Sequence, residues 1–278
     1  MFLQIFILNF TTGCDIIEIS CIAGDFIINK KRFTVIIILV LIAITALLFI
    51  YQDFALLFFP IMAFPFKGMS NNLKAFIIFF TTLLVFLTGK DCLNKKDVIH
   101  MKVIYTLIII ADFALVAFKS PVPGISVFFL VQLNLVLRNS KHMKEKIRSA
   151  GKAKRRILSS YTFFMCVFYL FAIIFLINAL ANQTLLLVAM TLYLFMVSLS
   201  LWTALTNFIT GLFPRTNGLL VFIGMFCFLF CDINVGLSWI FEKEMIGWIA
   251  AALIWVFYTP ALTLIALSGH KKSTWESK

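Results

Sequence analysis

The sequence predicts an all-α fold: a polytopic membrane bundle of about eight transmembrane helices. Three observations predict it. The 278 residues are 62% hydrophobic and 13% charged, with 33 Phe, against roughly 45–50% and 25% in an ordinary soluble domain. Apolar blocks long enough to cross a bilayer, about 17–25 residues, recur along the chain. Lys and Arg gather in alternate connections between those blocks, the pattern of the positive-inside rule. A soluble protein with several buried helices would need polar outer faces, and these blocks have none.

The chain divides into an N-terminal segment (1–32), one transmembrane domain (33–269) and a cytoplasmic tail (270–278). The opening "MFLQIFILNF" is too short to span, is followed by Asp15, Glu18 and Asp25, and lacks the basic start of a secretory signal. The segment is therefore expected to be interfacial or disordered. The apolar cores that follow are 33–50, 73–89, 103–118, 124–137, 158–180, 184–205, 218–241 and 245–269. A further apolar run, 54–66, is short and carries Pro60 and Pro65. It reads as an interfacial, re-entrant or bent extension of the first span.

With eight spans the connections alternate sides. One side receives Lys30, Lys31 and Arg32, then Lys90, Lys95, Lys96 and Lys102, then the nine basic residues between 138 and 156, and finally Arg215, Lys271, Lys272 and Lys278. Only Lys67, Lys74, Lys119 and Lys243 fall on the other, so 20 of the 24 basic residues share one side. That side, with both termini, is expected to be cytoplasmic, and the membrane to be the cell membrane. The net charge of +12 then serves topology and contact with anionic lipid headgroups, not a nucleic acid. The run "RNSKHMKEKIRSAGKAKRR" (138–156) is its densest stretch.

Cysteine and histidine add little. Of six Cys, Cys227 and Cys231 lie four apart on one helix, but His100, His142 and His270 all read as loop or tail residues. No disulfide framework or metal site is legible.

The acidic residues are more informative. Of twelve, ten lie outside the spans or at their ends; Asp112, in "YTLIIIADFALVAF", and Asp232, in "GMFCFLFCDINVGLSWIF", do not. An Asp at the centre of a spanning helix costs on the order of 2.5–3.5 kcal/mol on insertion scales, and such residues face the bundle interior and mark function. In the predicted topology both spans run outward. Counted from their outer ends, both carboxylates lie roughly 9–11 Å deep at 1.5 Å per residue. Two carboxylates at matched depth can meet across the bundle. Like-charge repulsion and desolvation then keep one of them protonated, the arrangement that general acid–base chemistry needs. Gln132 and Asn134 in "GISVFFLVQLNLVLR", Tyr258 in "WVFYTPALTLIALSG", and Tyr105, seven residues before Asp112, are the other polar groups expected near this layer.

These residues and their spacing resemble the YhhN-like lysoplasmalogenase family of eight-span membrane proteins. In that family the third span carries Gly-Asp, the fourth Gly-x-x-x-Phe-x-x-x-His/Gln, the seventh Gly-x-x-x-Phe-x-x-Ser-Asp, and the last Tyr-x-x-Ala-Gln. Here Ala111-Asp112 stands for the first; Gly124, Phe128 and Gln132 for the second; Gly224, Phe228, Cys231 and Asp232 for the third; Tyr258 and Ala261 for the fourth. The match runs from about 67 to 268. Ala111 replaces the usual Gly, Cys231 the usual Ser, and Leu262 the usual Gln.

The resemblance implies hydrolysis of the vinyl ether bond of lysoplasmalogen or a related lysolipid, giving a fatty aldehyde and a glycerophospho-base. Asp112 and Asp232 would be catalytic, with Gln132, Tyr258, Tyr105 and Asn134 at the substrate. A lysophospholipid is then the substrate, and no metal or organic cofactor is required. Two other readings stand beside it: a proton-coupled transporter of a small molecule or lipid, and a non-catalytic membrane partner protein. Against the carrier, Pro260 is the only Pro inside a span and no internal repeat is visible.

Overall fold

A computed structural model describes residues 15–58, 69–88, 92–117 and 121–271. Among the described residues there are nine helices: α1 (Asp15–Phe58), α2 (Met69–Leu87), α3 (Lys95–Ala117), α4 (Val122–Ser140), α5 (Met143–Ser149), α6 (Lys152–Ala179), α7 (Thr184–Thr210), α8 (Arg215–Ile240) and α9 (Met245–Leu267). Seven are long and apolar enough to cross a membrane. α2 contributes a shorter apolar stretch, Asn72–Leu87. The expected fold class is the one observed, and the chain is an integral membrane protein.

The spans form because a backbone in hydrocarbon must satisfy every N–H and C=O internally, which an α-helix does along its own length. Their order in space follows from their contacts. α1 packs on α2, α2 on α3, α3 on α4, α4 on α7, α7 on α8, α8 on α9, and α9 returns to α1 and α2. The result is a closed ring of seven helices. α6 packs only on α7 among the closely packed pairs and leaves Phe163, Phe164, Phe171 and Ile174 exposed. In water such a face would be a liability; against lipid tails it is the ordinary outer surface of a bundle.

Close approach is set by small residues, as is usual where lipid removes the hydrophobic drive between helices. A Cβ on Gly224 would lie 2.8 Å from Ile265 Cγ1 and 3.3 Å from the Ala261 carbonyl, so α8 and α9 touch only because that position is bare. Gly124 likewise lies against Leu115 of α3. The core between them contains Phe228, Met225, Leu135, Ile104, Leu262 and Ile265.

Residues 15–58 form one 44-residue helix that contains the first span. The run 54–66 begins as an extension of that helix, to Phe58; the remainder, like residues 1–14 and 272–278, lies outside the described residues. One expectation needs correction. His270 is not a tail residue. It is 1% exposed, and its Nε2 lies 3.0 Å from Thr88 Oγ1 and 3.3 Å from the Leu84 carbonyl.

His270 belongs to a buried polar network at the end of the bundle where α4 and α9 finish and α3 and α8 begin. Arg138 binds Asp97 in a fork, Nε to Oδ1 at 2.6 Å and Nη2 to Oδ2 at 3.1 Å, and its Nη1 donates to Ser268 Oγ at 2.9 Å. The guanidinium also lies over the Phe213 ring. Asn217 Nδ2 donates to the carbonyls of Ser268 and His270, and the Leu93 N–H donates to Gly269 O. These bonds take up carbonyls that the end of α9 leaves without a helical partner. Arg138, counted in sequence among the loop charges of 138–156, is thus a buried strut that ties helix ends together.

Candidate functional site

Asp112 sits near the end of α3, and Asp232 near the middle of the second half of α8. Both are half-buried. Each carboxylate accepts a hydrogen bond from a tyrosine on another helix. Tyr258 of α9 donates its hydroxyl to Asp112 Oδ2 at 2.9 Å. Tyr193 of α7 donates to Asp232 Oδ2 at 2.8 Å.

A single ring joins the two pairs. Phe128 of α4 meets Tyr193 and Tyr258 edge-to-face, each with centroids 6.5 Å away, and meets Phe228 at 6.1 Å. Phe228 in turn stands perpendicular to Tyr258 at 5.8 Å. Edge-to-face packing at these separations is the favoured geometry of aromatic side chains. Cys231, next to Asp232 in sequence, is buried. Five helices, α3, α4, α7, α8 and α9, therefore bring two acid–tyrosine pairs onto one aromatic cluster inside the ring.

Local sequence explains the placement. Gly124 and Phe128 are four residues apart on α4, so they share a face; the glycine lets α4 close on α3 and the ring then reaches the centre. On α8, Gly224, Phe228 and Asp232 repeat the same spacing. The bare position packs on α9, and the ring and the carboxylate follow along the same stripe.

Gln132, next on that face of α4, is fully buried. Its amide lies against Tyr193 without a well-aligned hydrogen bond from Oε1 or Nε2, so it adds a polar group beside an acid–tyrosine pair.

Two expected site residues point elsewhere. Tyr105 is fully buried and donates its hydroxyl to the Leu262 carbonyl, joining α3 to α9 below the acids. Asn134 turns its Nδ2 back to the Leu130 carbonyl of its own helix at 2.9 Å. Leu262, at the position where the resembling family has Gln, is fully buried; its backbone oxygen serves Tyr105.

Tyr193 and Phe128's bridging role were not legible as site features from sequence. The signal available for Tyr193 was a phenol inside an otherwise apolar span, "MTLYLFMVSLS", the same signal that marked Tyr258.

At the opposite end of the bundle from the Arg138 network, Lys74 of α2 binds Asp53 of α1, Nζ to Oδ2 at 2.8 Å. Its ammonium also stands 5.9 Å from the Phe49 ring centre and 5.7 Å from that of Trp255. Trp255 stacks edge-on against Tyr258 at 5.2 Å, so the ion pair lies two ring contacts from Asp112. Compared with family models, curated proteins and solved structures, the chain matches none.

Proposed function

We propose that this protein is a membrane-embedded hydrolase of the vinyl ether bond of lysoplasmalogen or a closely related lysolipid, with Asp112 and Asp232 as its catalytic acid–base pair. The observation that carries the reading is the pairing of two intramembrane carboxylates, each held by a tyrosine hydroxyl, on one aromatic cluster. Carboxylates in a span are retained for function, and a hydroxyl donor on each fixes the rotamer that proton transfer needs.

The chemistry is balanced by one water. The acid form of one Asp gives its proton to the vinyl carbon remote from oxygen, and the adjacent carbon becomes an oxocarbenium ion. The other carboxylate faces that cation, as in glycoside hydrolysis, and takes a proton from water as the water adds. The second Asp, now protonated, gives its proton to the glycerol oxygen as that C–O bond breaks, and the first takes the proton of the hemiacetal hydroxyl; the aldehyde and a glycerophospho-base leave, and both carboxyl groups return to their starting states. Gln132, buried beside Tyr193, can bind the ether oxygen or the attacking water. The surrounding rings Phe128 and Phe228 keep bulk water from the cation.

The buried Arg138–Asp97–Ser268 network favours an enzyme over a carrier. It seals one end of the helix ring with charge-assisted hydrogen bonds, whereas alternating access requires both ends to open. In this reading the sealed, basic end is cytoplasmic, both termini lie on that side, and the lysolipid enters from the outer half of a cell membrane.

The test is aldehyde release by purified protein in detergent, from vinyl-ether lysolipids against an acyl lysolipid control, without added metal or nucleotide. Release from the vinyl ether alone supports the reading. No release across a panel of headgroups ends it.

A further inference from the structure

We infer that the Lys74–Asp53 ion pair is the receptor for a zwitterionic phospholipid headgroup, with Lys74 taking the phosphate and Asp53 the ammonium; this rests on the lysolipid reading above.

The ion pair is built unlike a surface salt bridge. The side chains of Lys74 and Asp53 are 20% and 13% exposed, and the ammonium is flanked by Phe49, which is fully buried, and Trp255, which is half-buried. Three helices supply the parts: α1 gives Phe49 and Asp53, α2 gives Lys74, and α9 gives Trp255. A carboxylate with two aromatic faces is the chemistry that recognises an alkylammonium cation, and the Lys74 ammonium occupies that place.

Its position fits a lysolipid. Trp255 touches both the Lys74 ammonium and Tyr258, and Tyr258 holds Asp112. A glycerol unit separates the vinyl ether oxygen of the substrate from its phosphate, and Trp255 and Tyr258 are the side chains that connect the ion pair to Asp112. A phosphate alone would meet the repulsion of Asp53. A head carrying phosphate and ammonium exchanges partners with both residues: Lys74 to phosphate, Asp53 to the cation, the latter over the rings that Lys74 vacates. Charge is conserved in the exchange, and no group is left buried without a partner.

The experiment uses lipids that cannot be cleaved, so it does not depend on turnover. Purified protein in detergent is titrated with a saturated 1-O-alkyl lysophosphocholine, the corresponding alkyl glycerophosphate, the alkylglycerol, and tailless glycerophosphocholine. Binding is read by tryptophan emission, with Trp255→Phe showing that the signal is local. The lysophosphocholine should bind about tenfold or more tighter than the alkylglycerol, with the alkyl glycerophosphate between them. Glycerophosphocholine, lacking the tail, should bind weakly. Lys74→Ala should remove the advantage of the phosphate and leave the alkylglycerol unchanged, and Lys74→Arg should keep it. Asp53→Asn should erase the preference for lysophosphocholine over the alkyl glycerophosphate. Lys74→Met combined with Asp53→Asn removes both charges of the pair and serves if Lys74→Ala does not fold. Equal wild-type affinity for lysophosphocholine and alkylglycerol, or full retention of the headgroup preference in Lys74→Ala or the double variant, overturns the inference. Failure of the hydrolase reading would appear differently, as absence of aldehyde from every vinyl-ether lipid while this affinity series stands.

Discussion

Tyr258 donates its hydroxyl to Asp112 Oδ2 at 2.9 Å across 146 residues of sequence. The bond connects α9 to α3, which are not among the closely packed pairs of the ring, so it is made across the interior. Removing the hydroxyl leaves the ring to pack on Phe128, Phe228 and Trp255 and frees the carboxylate to rotate. Tyr258→Phe should therefore keep the fold and lower kcat by about tenfold to a hundredfold, as expected when a proton-transfer group loses its orientation. Tyr193→Phe should do the same through Asp232. Wild-type kcat in both variants, measured by aldehyde release, would separate the tyrosines from the chemistry.

Asp112→Asn and Asp232→Asn should each abolish turnover, because an amide cannot exchange the proton; general acid–base groups account for about 10²–10⁴-fold each. Both variants should fold, since a neutral amide is easier to place in a span than a carboxylate, and the tyrosine hydroxyl can still donate to the amide oxygen. The outcome that contradicts the assignment is full aldehyde release in either variant that elutes as a monodisperse species.

The parts legible in sequence were those written as composition and spacing. The spans stood out because lipid demands an unbroken apolar helix, and Asp112 and Asp232 stood out because a charge there is anomalous. What stayed hidden depends on which helices become neighbours. Asp97, Arg138 and His270 look like membrane-flanking charges until α3, α4 and the end of α9 converge and bury them. Asn134 looks equivalent to Gln132, two positions away, but two positions rotate a side chain by more than half a turn, and Asn134 bonds its own helix instead. Tyr105 shares a face with Asp112 yet stops one level short, at the Leu262 carbonyl.

The Arg138–Asp97 fork should carry stability, not turnover chemistry. Both residues are buried, at 4% and 8% exposure, and deleting one partner of a buried pair strands the other's charge at a cost of about 3–5 kcal/mol. Arg138→Met alone should lower the thermal midpoint of the detergent-solubilised protein sharply. Arg138→Met with Asp97→Asn should recover most of the loss, because no charge is left behind. A midpoint unchanged in the single variant, read by the unfolding of a thiol-reactive fluorescence assay, would remove the network from any structural role.

In the proposed reading, the orientation of the ring decides from which side the lipid arrives. Connections rich in Lys and Arg stay in the cytoplasm because they resist translocation, and α5, with its Lys144, Lys146 and Arg148, lies in the densest of them. Asn182, exposed in the turn between α6 and α7, belongs to the opposite side. In a cysteine-free background, Asn182→Cys should react with a membrane-impermeant maleimide on intact cells, and Lys146→Cys only after the membrane is opened. The Lys74–Asp53 pair lies at the same end of the helix ring as Asn182, since α1 ends, α2 begins and α7 begins there. Labelling of Asn182→Cys from the cytoplasmic side alone would invert the bundle and place the lipid entrance on the inner leaflet.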